Sequence, residues 1–356
     1  MLQTITTRFK GKGCIESLIG GRSENQDSAG WSDTPFGLLV VVCDGMGGMK
    51  GGKHASELAV DTIIADVSSA SAEESPLPVL QKAIAHANTV IFNEGLKDEY
   101  KGMGTTLVAL LVTDQNAIAV HLGDSRIYQL RNGKKHFRTF DHSMVFDMVK
   151  ANILSEEQAR LADCSNIILK ALGISESVTP DIEIIPYRKG DRFVLCTDGF
   201  WSAFDEMSLV KKLSKKEVSE ILLESLSKEI DQLGKDNGGN HDNLTAAVLD
   251  VDKNSVLKDT KPINIPKILL YVLLFLSLCF NLYAIKAFYT IKQVRKELIE
   301  LYNDLTDAQE ELTSQKISKI LEKTGGVKSS RMENDNANEE INPNENDEKN
   351  DIHDRT

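Results

Sequence analysis

The sequence contains no pair of cysteines in Cys-x-x-Cys spacing and no excess of positive charge. Its five cysteines are Cys14, Cys43, Cys164, Cys196 and Cys279. Of these, Cys43, Cys196 and Cys279 lie in apolar runs. This distribution favours buried free thiols in a reducing compartment over a disulfide framework or a zinc site. The net charge of −12 argues against a basic surface that binds nucleic acid. We therefore expect neither a disulfide-stabilised domain nor a nucleic-acid partner.

The amino-terminal segment also lacks the apolar stretch of a secretory signal peptide, because its first ten residues read MLQTITTRFK. We expect the first part of the chain to stay in the cytoplasm. Charged residues make up 26% and hydrophobic residues 41% of the 356 residues, as in ordinary globular proteins. A chain of this length forms either one large domain or two ordinary ones.

One long apolar segment stands apart from this ordinary composition. Residues 268–285 carry no charge over 18 positions and are flanked by Lys267 and Lys286. As a helix this segment spans about 27 Å, close to the hydrocarbon thickness of a bilayer. The alternative, a buried core helix, is disfavoured by the charge-free length and the basic flanks. We predict a transmembrane helix over 267–286, preceded by a linker over 253–266.

A heptad pattern follows the apolar segment. Apolar residues recur in alternating steps of three and four between 291 and 312, at Ile291, Val294, Leu298, Leu301, Leu305, Ala308 and Leu312. This spacing predicts a helix over 287–323 that either forms a parallel coiled-coil homodimer or remains a single amphipathic helix. Residues 324–356 are rich in Asn, Asp and Glu, which is typical of a disordered acidic tail.

Aspartates flank three apolar runs in the first 252 residues. Asp44 and Asp198 follow such runs, and Asp242 precedes one. Short apolar runs bounded by glycine or asparagine indicate buried strands. If the third strand runs antiparallel to the first two, all three carboxylates reach the same edge of one sheet. Converging carboxylates repel one another unless a cation neutralises them, and Mg²⁺ and Mn²⁺ prefer such oxygen ligands. The pattern therefore predicts a metal-dependent enzyme.

Each aspartate taken alone also has an ordinary explanation, since Asp-Gly is a common turn pair. Their combination is more specific, because six short motifs occur in one order: Arg22-Ser-Glu-Asn-Gln-Asp27, Asp44-Gly-Met-Gly-Gly48, Gly104-Thr-Thr106, Gly123-Asp-Ser-Arg126, Leu195-Cys-Thr-Asp-Gly199 and Asp242-Asn-Leu-Thr245. This set resembles the metal-dependent Ser/Thr protein phosphatases of the protein phosphatase 2C type, particularly their bacterial members. The resemblance covers residues 10–252 and implies an α+β fold, a four-layer α-β-β-α sandwich of two antiparallel sheets flanked by helices.

The resemblance implies a centre of two tightly held Mn²⁺ or Mg²⁺ ions and a third, weaker one. Asp44 corresponds to the carboxylate that bridges the first two ions, and the backbone carbonyl of Gly45 corresponds to a further ligand of one of them. Asp198 and Asp242 correspond to ligands of the other ion. Asp124 together with Asp198 corresponds to the pair that holds the third ion in bacterial members.

The resemblance also implies roles for residues around the metals. Arg22 corresponds to the arginine that binds the phosphoryl group, and Asp27 to a residue that orients metal-bound water without being a ligand. Asn243 is expected to brace its loop. Family members often carry a histidine near the Asp-Gly loop that protonates the leaving group, whereas the neighbouring positions here are methionines. His54 is the candidate general acid, against a plain role at a helix terminus.

The implied reaction is attack of a hydroxide shared by the two ions on phosphoserine or phosphothreonine, in line with the leaving group. Residues 141–172 resemble the flap over the active site of bacterial members and are expected to select substrates.

We expect a membrane-anchored phosphoprotein phosphatase that opposes a Ser/Thr kinase, with its catalytic domain at 1–252. The alternative is a catalytically weak module on the same fold that binds phosphoproteins at the membrane. The net negative charge of the chain disfavours a two-metal nuclease.

The side of the membrane is not decided by charge, because lysines and arginines are balanced on the two sides of the apolar segment. The missing signal peptide and the metal-enzyme character of the first part favour a cytoplasmic N-terminal domain. We therefore expect a single-pass protein of the cell membrane with its C-terminal tail outside the cell.

Overall fold

The structure is a computed structural model that describes residues 1–151, 153–155, 158, 168–257 and 265–323. The chain divides into two compact units, Met1–Lys261 and Pro262–Thr356. The central part of the predicted flap, half of the predicted linker and the whole predicted acidic tail lie outside the described residues.

The first unit consists of strands and helices that alternate along the chain. Its strands, within the described residues, are β1 (Gln3–Ile5), β2 (Gly11–Leu18), β3 (Asp27–Thr34), β4 (Gly37–Met46), β5 (Gly104–Thr105), β6 (Leu107–Thr113), β7 (Ala117–Leu122), β8 (Arg126–Arg131), β9 (Lys134–Arg138), β10 (Asp181–Ile185), β11 (Arg192–Cys196) and β12 (Leu244–Val251). Its helices are α1 (Gly48–Ser69), α2 (Pro76–Glu94), α3 (Met144–Lys150), α4 (Asp198–Trp201), α5 (Glu206–Leu213) and α6 (Ser219–Asp236), and a 3-10 turn spans Asp98–Tyr100.

The described strands form two sheets in which neighbouring strands run antiparallel. The first sheet has the order β1-β2-β12-β11-β8-β9, and the second has the order β10-β7-β6-β4-β3, with β5 paired to β4. Helices α1 and α2 pack on the outer face of the second sheet, and α4, α5 and α6 pack on the outer face of the first. This arrangement confirms the predicted α+β sandwich of two antiparallel sheets flanked by helices.

The continuous apolar strands occur because both faces of each sheet are covered. In β4, Val40 and Val42 belong to the core between the two sheets, whereas Val41 and Cys43 belong to the core beneath α1 and α2. Alternate side chains of one strand therefore serve two different cores. A strand with two buried faces reads as an unbroken apolar run rather than as an alternating pattern.

The three strands that carry the aspartates do not share one sheet, and the expectation of a single sheet edge was wrong. Strands β11 and β12 are antiparallel neighbours, with Cys196 opposite Ala246, so Asp198 and Asp242 lie at the same end of their sheet. Strand β4 belongs to the facing sheet, between β3 and β6. The apolar pattern could not show this, because a strand that is buried on both faces gives the same unbroken apolar run in either sheet. The carboxylates therefore meet at one end of the sandwich, between its two layers.

The second unit contains, within the described residues, one continuous helix, α7 (Ile265–Lys323). Its segment Leu273–Ile320 is long and apolar enough to cross a membrane, judged by length and composition alone. The segments 267–286 and 287–323 are thus parts of a single helix. The side chains of Ile291 and Leu298, two members of the heptad pattern, are exposed.

Candidate active site

Asp44 lies near the end of β4, directly opposite Asp27 of β3. The Gly-Thr-Thr motif fixes its backbone from the neighbouring strand. The Asp44 N–H donates to Thr106 Oγ1 at 2.9 Å, and its carbonyl oxygen accepts from Thr105 Oγ1 at 2.8 Å. The Thr106 N–H donates to the same carbonyl oxygen at 2.8 Å. The two threonines therefore hold the strand end that carries Asp44, and this explains why the motif accompanies it.

Asp198 begins α4, immediately after β11, and Thr197 precedes it. The Thr197 hydroxyl donates to Asp27 Oδ2 at 2.9 Å, across the gap between the two sheets. The same hydroxyl accepts the Thr245 N–H at 3.1 Å, and the Thr197 N–H donates to the Thr245 carbonyl oxygen at 3.0 Å. Thr197 therefore joins β12 and β11 to β3 beside the aspartates.

Asp242 and Asn243 lie just before β12, and Asn243 braces the loop that carries Arg22. Its side-chain amide donates to the Ile19 carbonyl oxygen at 2.7 Å and to the Glu24 carbonyl oxygen at 3.0 Å. Arg22 Nη2 donates to Asp242 Oδ2 at 2.8 Å, and both side chains are about half exposed, at 48% and 41%. The predicted phosphate-binding arginine thus lies at the open rim of the carboxylate cluster.

The aspartates form one electrostatic cluster. Burial first, and then the charges of neighbouring aspartates, raises the pKa of Asp44, Asp124 and Asp198 above its ordinary value. The charges that act on Asp44 are those of Asp27, Asp198, Asp124 and Asp242. The carboxylates thus stay together at an energetic cost, which one or more cations would remove.

Two carboxylate oxygens in this cluster match the needs of a cation. Asp124 Oδ1 and Asp198 Oδ1 are buried, and neither has a hydrogen-bond partner among the described residues. Buried polar atoms without partners are rare in native proteins and call for an ion, a water or a functional role. Hard carboxylate oxygens are the ligands that Mg²⁺ and Mn²⁺ prefer. The residues present therefore fit divalent cations.

Glycine is required beside Asp44 because the backbone is crowded there. A Cβ atom on Gly45 would lie 2.0 Å from the Gly52 carbonyl oxygen and 2.7 Å from the Gln26 carbonyl oxygen. No real Cβ tolerates such contacts with backbone atoms. The Gly45 N–H also donates to the Gln26 carbonyl oxygen at 3.1 Å, which ties the end of β4 to the residue before Asp27.

Asp124 is buried in the turn between β7 and β8, and Trp201, which the sequence did not single out, helps to hold this turn. The Trp201 indole N–H donates to the Asp124 carbonyl oxygen at 2.9 Å. Arg126 forms a two-pronged ion pair with Asp141 and lies over the Trp201 ring, 3.4 Å from its centroid. A signal for the pair existed in the sequence, since a buried arginine needs an acidic partner and Asp141 begins the segment that resembles the flap.

His54 lies on α1, where its side chain contacts Tyr100 and Glu94. Its ring packs on Tyr100 with the ring centroids 4.4 Å apart, and its Nε2 lies 3.7 Å from Glu94 Oε2. Tyr100 belongs to the 3-10 turn, and Glu94 is the last residue of α2. These contacts orient the imidazole through Glu94. A role of His54 as general acid stays a prediction.

A second cluster of potential metal ligands, within the described residues, consists of His121, His142 and Asp181. The two imidazole rings stack with centroids 4.4 Å apart and planes inclined by 16°. Rings that lie face to face direct their nitrogen lone pairs along nearly parallel planes rather than towards a common point. His121 Nε2 is 2.7 Å from the Phe140 carbonyl oxygen, and the backbone N–H of His142 donates to the Gly123 carbonyl oxygen at 2.8 Å. We therefore assign this cluster to anchoring the start of the flap.

Comparison with known proteins identifies the family. The family model described as protein phosphatase 2C matches residues 16–236. The serine/threonine phosphatase stp of Listeria innocua is 34% identical over 246 residues, which cover 67% of this chain and 93% of that protein. A putative protein phosphatase 2C-type of Streptococcus pyogenes is 33% identical over 238 residues, which cover 66% of this chain and 95% of that protein.

Solved structures agree with the sequence comparison. The serine/threonine phosphatase of Streptococcus agalactiae superposes with a TM-score of 0.59 at 30% identity, covering 71% of this chain and all of that one. The catalytic domain of the phosphatase PstP, solved with two manganese ions, superposes with a TM-score of 0.58 at 28% identity over 71% of this chain and all of that one. The chain belongs to the protein phosphatase 2C family and is a serine/threonine protein phosphatase.

Proposed function

We propose that this phosphatase hydrolyses phosphoserine and phosphothreonine in proteins at a centre of two Mn²⁺ or Mg²⁺ ions. Asp44, Asp198, Asp242 and the Gly45 carbonyl oxygen would hold these ions. The observation that carries this proposal is the half-buried cluster of mutually repelling carboxylates, in which the buried Oδ1 of Asp198 has no hydrogen-bond partner among the described residues. When bound, the ions lower the pKa of a water that attacks phosphorus and offset the charge of the phosphoryl oxygens.

Arg22 would bind the phosphoryl group of the substrate. Its guanidinium now pairs with Asp242 Oδ2 at 2.8 Å. If Asp242 serves as a metal ligand, the Arg22 guanidinium would be free to turn towards the phosphoryl oxygens, which suit its two-pronged donor geometry. Because the Arg22 side chain is 48% exposed, it can turn to an incoming phosphoprotein without disturbing the core.

Asp27 would orient water beside the metals without binding a metal itself. Its Oδ2 accepts from the Thr197 hydroxyl at 2.9 Å, and it lies opposite Asp44 in the β3–β4 pair. Its carboxyl is therefore fixed from the side of the other sheet. Asp124 and Asp198, each with one buried oxygen that lacks a partner among the described residues, would hold a third and weaker ion.

The test is hydrolysis of a phosphothreonine peptide by residues 1–261, with Mn²⁺ and with chelator. The relatives from Listeria and Streptococcus consist almost entirely of the matched region, so this unit is expected to fold alone. Asp44→Asn should abolish turnover, whereas Asp33→Asn, on the neighbouring strand and hydrogen-bonded to Thr7, should retain it. Turnover without metal, or an active Asp44→Asn variant, contradicts the proposal. A folded but inactive parent would favour a phosphoprotein-binding module.

We also propose that α7 anchors the phosphatase in the cell membrane, with the catalytic domain in the cytoplasm, where it reverses the action of a Ser/Thr kinase. The support is the apolar segment of this helix. Protease added to intact cells should then cut the chain beyond residue 286 and leave the phosphatase domain whole. Cleavage inside the domain instead would reverse the orientation.

The part of α7 that carries the heptad pattern would pair with a second copy of the chain. The support is the continuous helix and the exposure of its apolar seam, exemplified by Leu298 at 66%. Leu298→Cys should give a disulfide-linked dimer under oxidation in membranes, whereas the matched variant Glu300→Cys, off the seam, should not. Equal cross-linking at both positions would contradict a specific coiled coil.

A further inference from the structure

A single short helix connects the two aspartates that would hold the third ion. Asp198 is the first residue of α4 and Trp201 is its last. The Trp201 indole N–H donates to the Asp124 carbonyl oxygen at 2.9 Å. The position of one carboxylate is thus linked to the backbone of the other through four residues of helix and one hydrogen bond.

The indole of Trp201 is held in place by the buried guanidinium of Arg126. The Arg126 guanidinium lies 3.4 Å from the centroid of the Trp201 ring. Two hydrogen bonds of 2.8 and 2.7 Å join the same guanidinium to Asp141, and the two side chains are only 4% and 2% exposed. Arg126 Nη1 donates to the Tyr128 hydroxyl at 3.2 Å. An arginine fixed on several sides leaves the stacked indole little freedom to rotate.

The hydrogen bond from Trp201 opposes the repulsion between the carboxylates of Asp124 and Asp198. Asp124 is buried and Asp198 is half-buried, and the charge of Asp198 is the strongest of the neighbouring charges that raise the pKa of Asp124. Without a restraint, the turn that carries Asp124 would relax away from α4 and separate the two carboxylates. A hydrogen bond to its backbone resists that movement without consuming either carboxylate oxygen.

We propose that Trp201 is a positioning residue that sets the separation of Asp124 and Asp198 and thereby the affinity for the third ion. This inference rests on the proposed function, which gives these two aspartates the third ion. Trp201 does not contact the substrate or the first two ions in this role. Its contribution is confined to the turn before β8 and to the helix that begins at Asp198.

The experiment titrates residues 1–261 with Mn²⁺ by calorimetry and by the electron paramagnetic resonance signal of free Mn²⁺. In Trp201→Phe, which keeps an aromatic ring but removes the donor, the weak class of sites should bind about five- to tenfold less tightly. The tight class should be unchanged. Trp31→Phe, a replacement at the other tryptophan of the chain, is the matched control and should leave both classes unchanged.

A second variant covers the case in which Trp201→Phe does not fold. Incorporation of β-(3-benzothienyl)alanine at position 201, in the Trp31→Phe background, keeps the shape of the indole and removes only its N–H. A purely structural role for Trp201 predicts an equal loss in both classes of sites, or none in either. A specific loss in the weak class supports the inference.

Two outcomes would overturn the inference at different levels. In the parent, Asp124→Asn should abolish the weak class, which tests the third ion itself. If Asp124→Asn abolishes this class and the position-201 variants leave it unchanged, Trp201 is not a positioning residue and the proposed ion site stands. If Asp124→Asn changes nothing, the proposed third site is wrong and the inference falls with it.

Discussion

The metal-free phosphatase domain should lose stability as the pH rises from about 4 to about 7, and Asp27 provides the test. Burial first, and then the charges of Asp198 and Asp242, raises the pKa of Asp27 to about 7 from its ordinary value of 3.8. Below the ordinary value, the folded and unfolded chains both carry the protonated carboxyl. As the pH rises, the unfolded chain loses the proton first. The folded state therefore loses stability until its own carboxyl ionises near pH 7.

The difference between the two pKa values of Asp27 corresponds to on the order of 4 kcal/mol, at about 1.36 kcal/mol per pH unit. For a domain of this size, that loss lowers the Tm by about 10 °C. Asp27→Asn removes the titrating group and should flatten this part of the profile. Its amide oxygen can still accept the hydrogen bond from the Thr197 hydroxyl, so the link between the sheets remains.

The assay is urea unfolding of residues 1–261 in chelator, followed by circular dichroism from about pH 4.5 to about pH 7.5. Asp33→Asn is the matched control from the same strand. Although partial burial opposes it, hydrogen bonds from Thr7 and the Arg8 backbone hold the pKa of Asp33 below its ordinary value. The stability that the ionised Asp33 carboxylate contributes is present above its ordinary pKa value and is lost only at more acidic pH. Free energies of unfolding for the parent and Asp27→Asn that differ by a constant amount across the range would refute the reasoning.

Three further predictions concern the same domain. Gly45→Ala should destabilise it by about 2 kcal/mol or more because the new Cβ meets a backbone oxygen at 2.0 Å, whereas Gly95→Ala, with its nearest atom at 3.3 Å, should change the free energy of unfolding by less than about 0.5 kcal/mol. Arg22→Lys should lower kcat/KM about 10- to 100-fold without changing Tm, because lysine lacks the two-pronged fork; an unchanged kcat/KM counts against phosphate binding. Burial raises the pKa of the Cys43 and Cys196 thiols, so mass spectrometry after alkylation of the native protein should find both unmodified.

The sequence predicted from local signals that the aspartates lie at strand ends and converge, but it placed their strands in one sheet instead of two. Asp44 and Asp198 mark ends of apolar strands, and Asp242 marks the beginning of one. The assignment of strands to sheets could not be predicted in the same way. A strand buried on both faces shows an unbroken apolar run in either sheet, and pairings such as Asp27 with Thr197 join residues 170 positions apart.

The contacts that support Asp124 could not be placed in detail from the sequence either. Arg126 lies in a motif and Asp141 begins the segment that resembles the flap, yet their pairing depends on how two separate segments fold back on each other. Trp201 resembles an ordinary apolar residue of a short helix, and its polar role appears only when the indole N–H is seen to reach the Asp124 backbone. Contacts of this kind arise from packing and leave no periodic pattern in the chain.

The position of the carboxylates between two facing sheets has a mechanical consequence. In the proposed holoenzyme, Asp44 comes from one layer and Asp198 and Asp242 from the other, so an ion held by carboxylates of both layers would tie the two sheets together. Ion binding then favours one spacing of the sandwich, and by reciprocity the packing of the apolar interior favours or opposes ion binding. A large-to-small replacement such as Leu110→Ala, deep between the layers, should therefore weaken Mn²⁺ affinity although it touches no ligand.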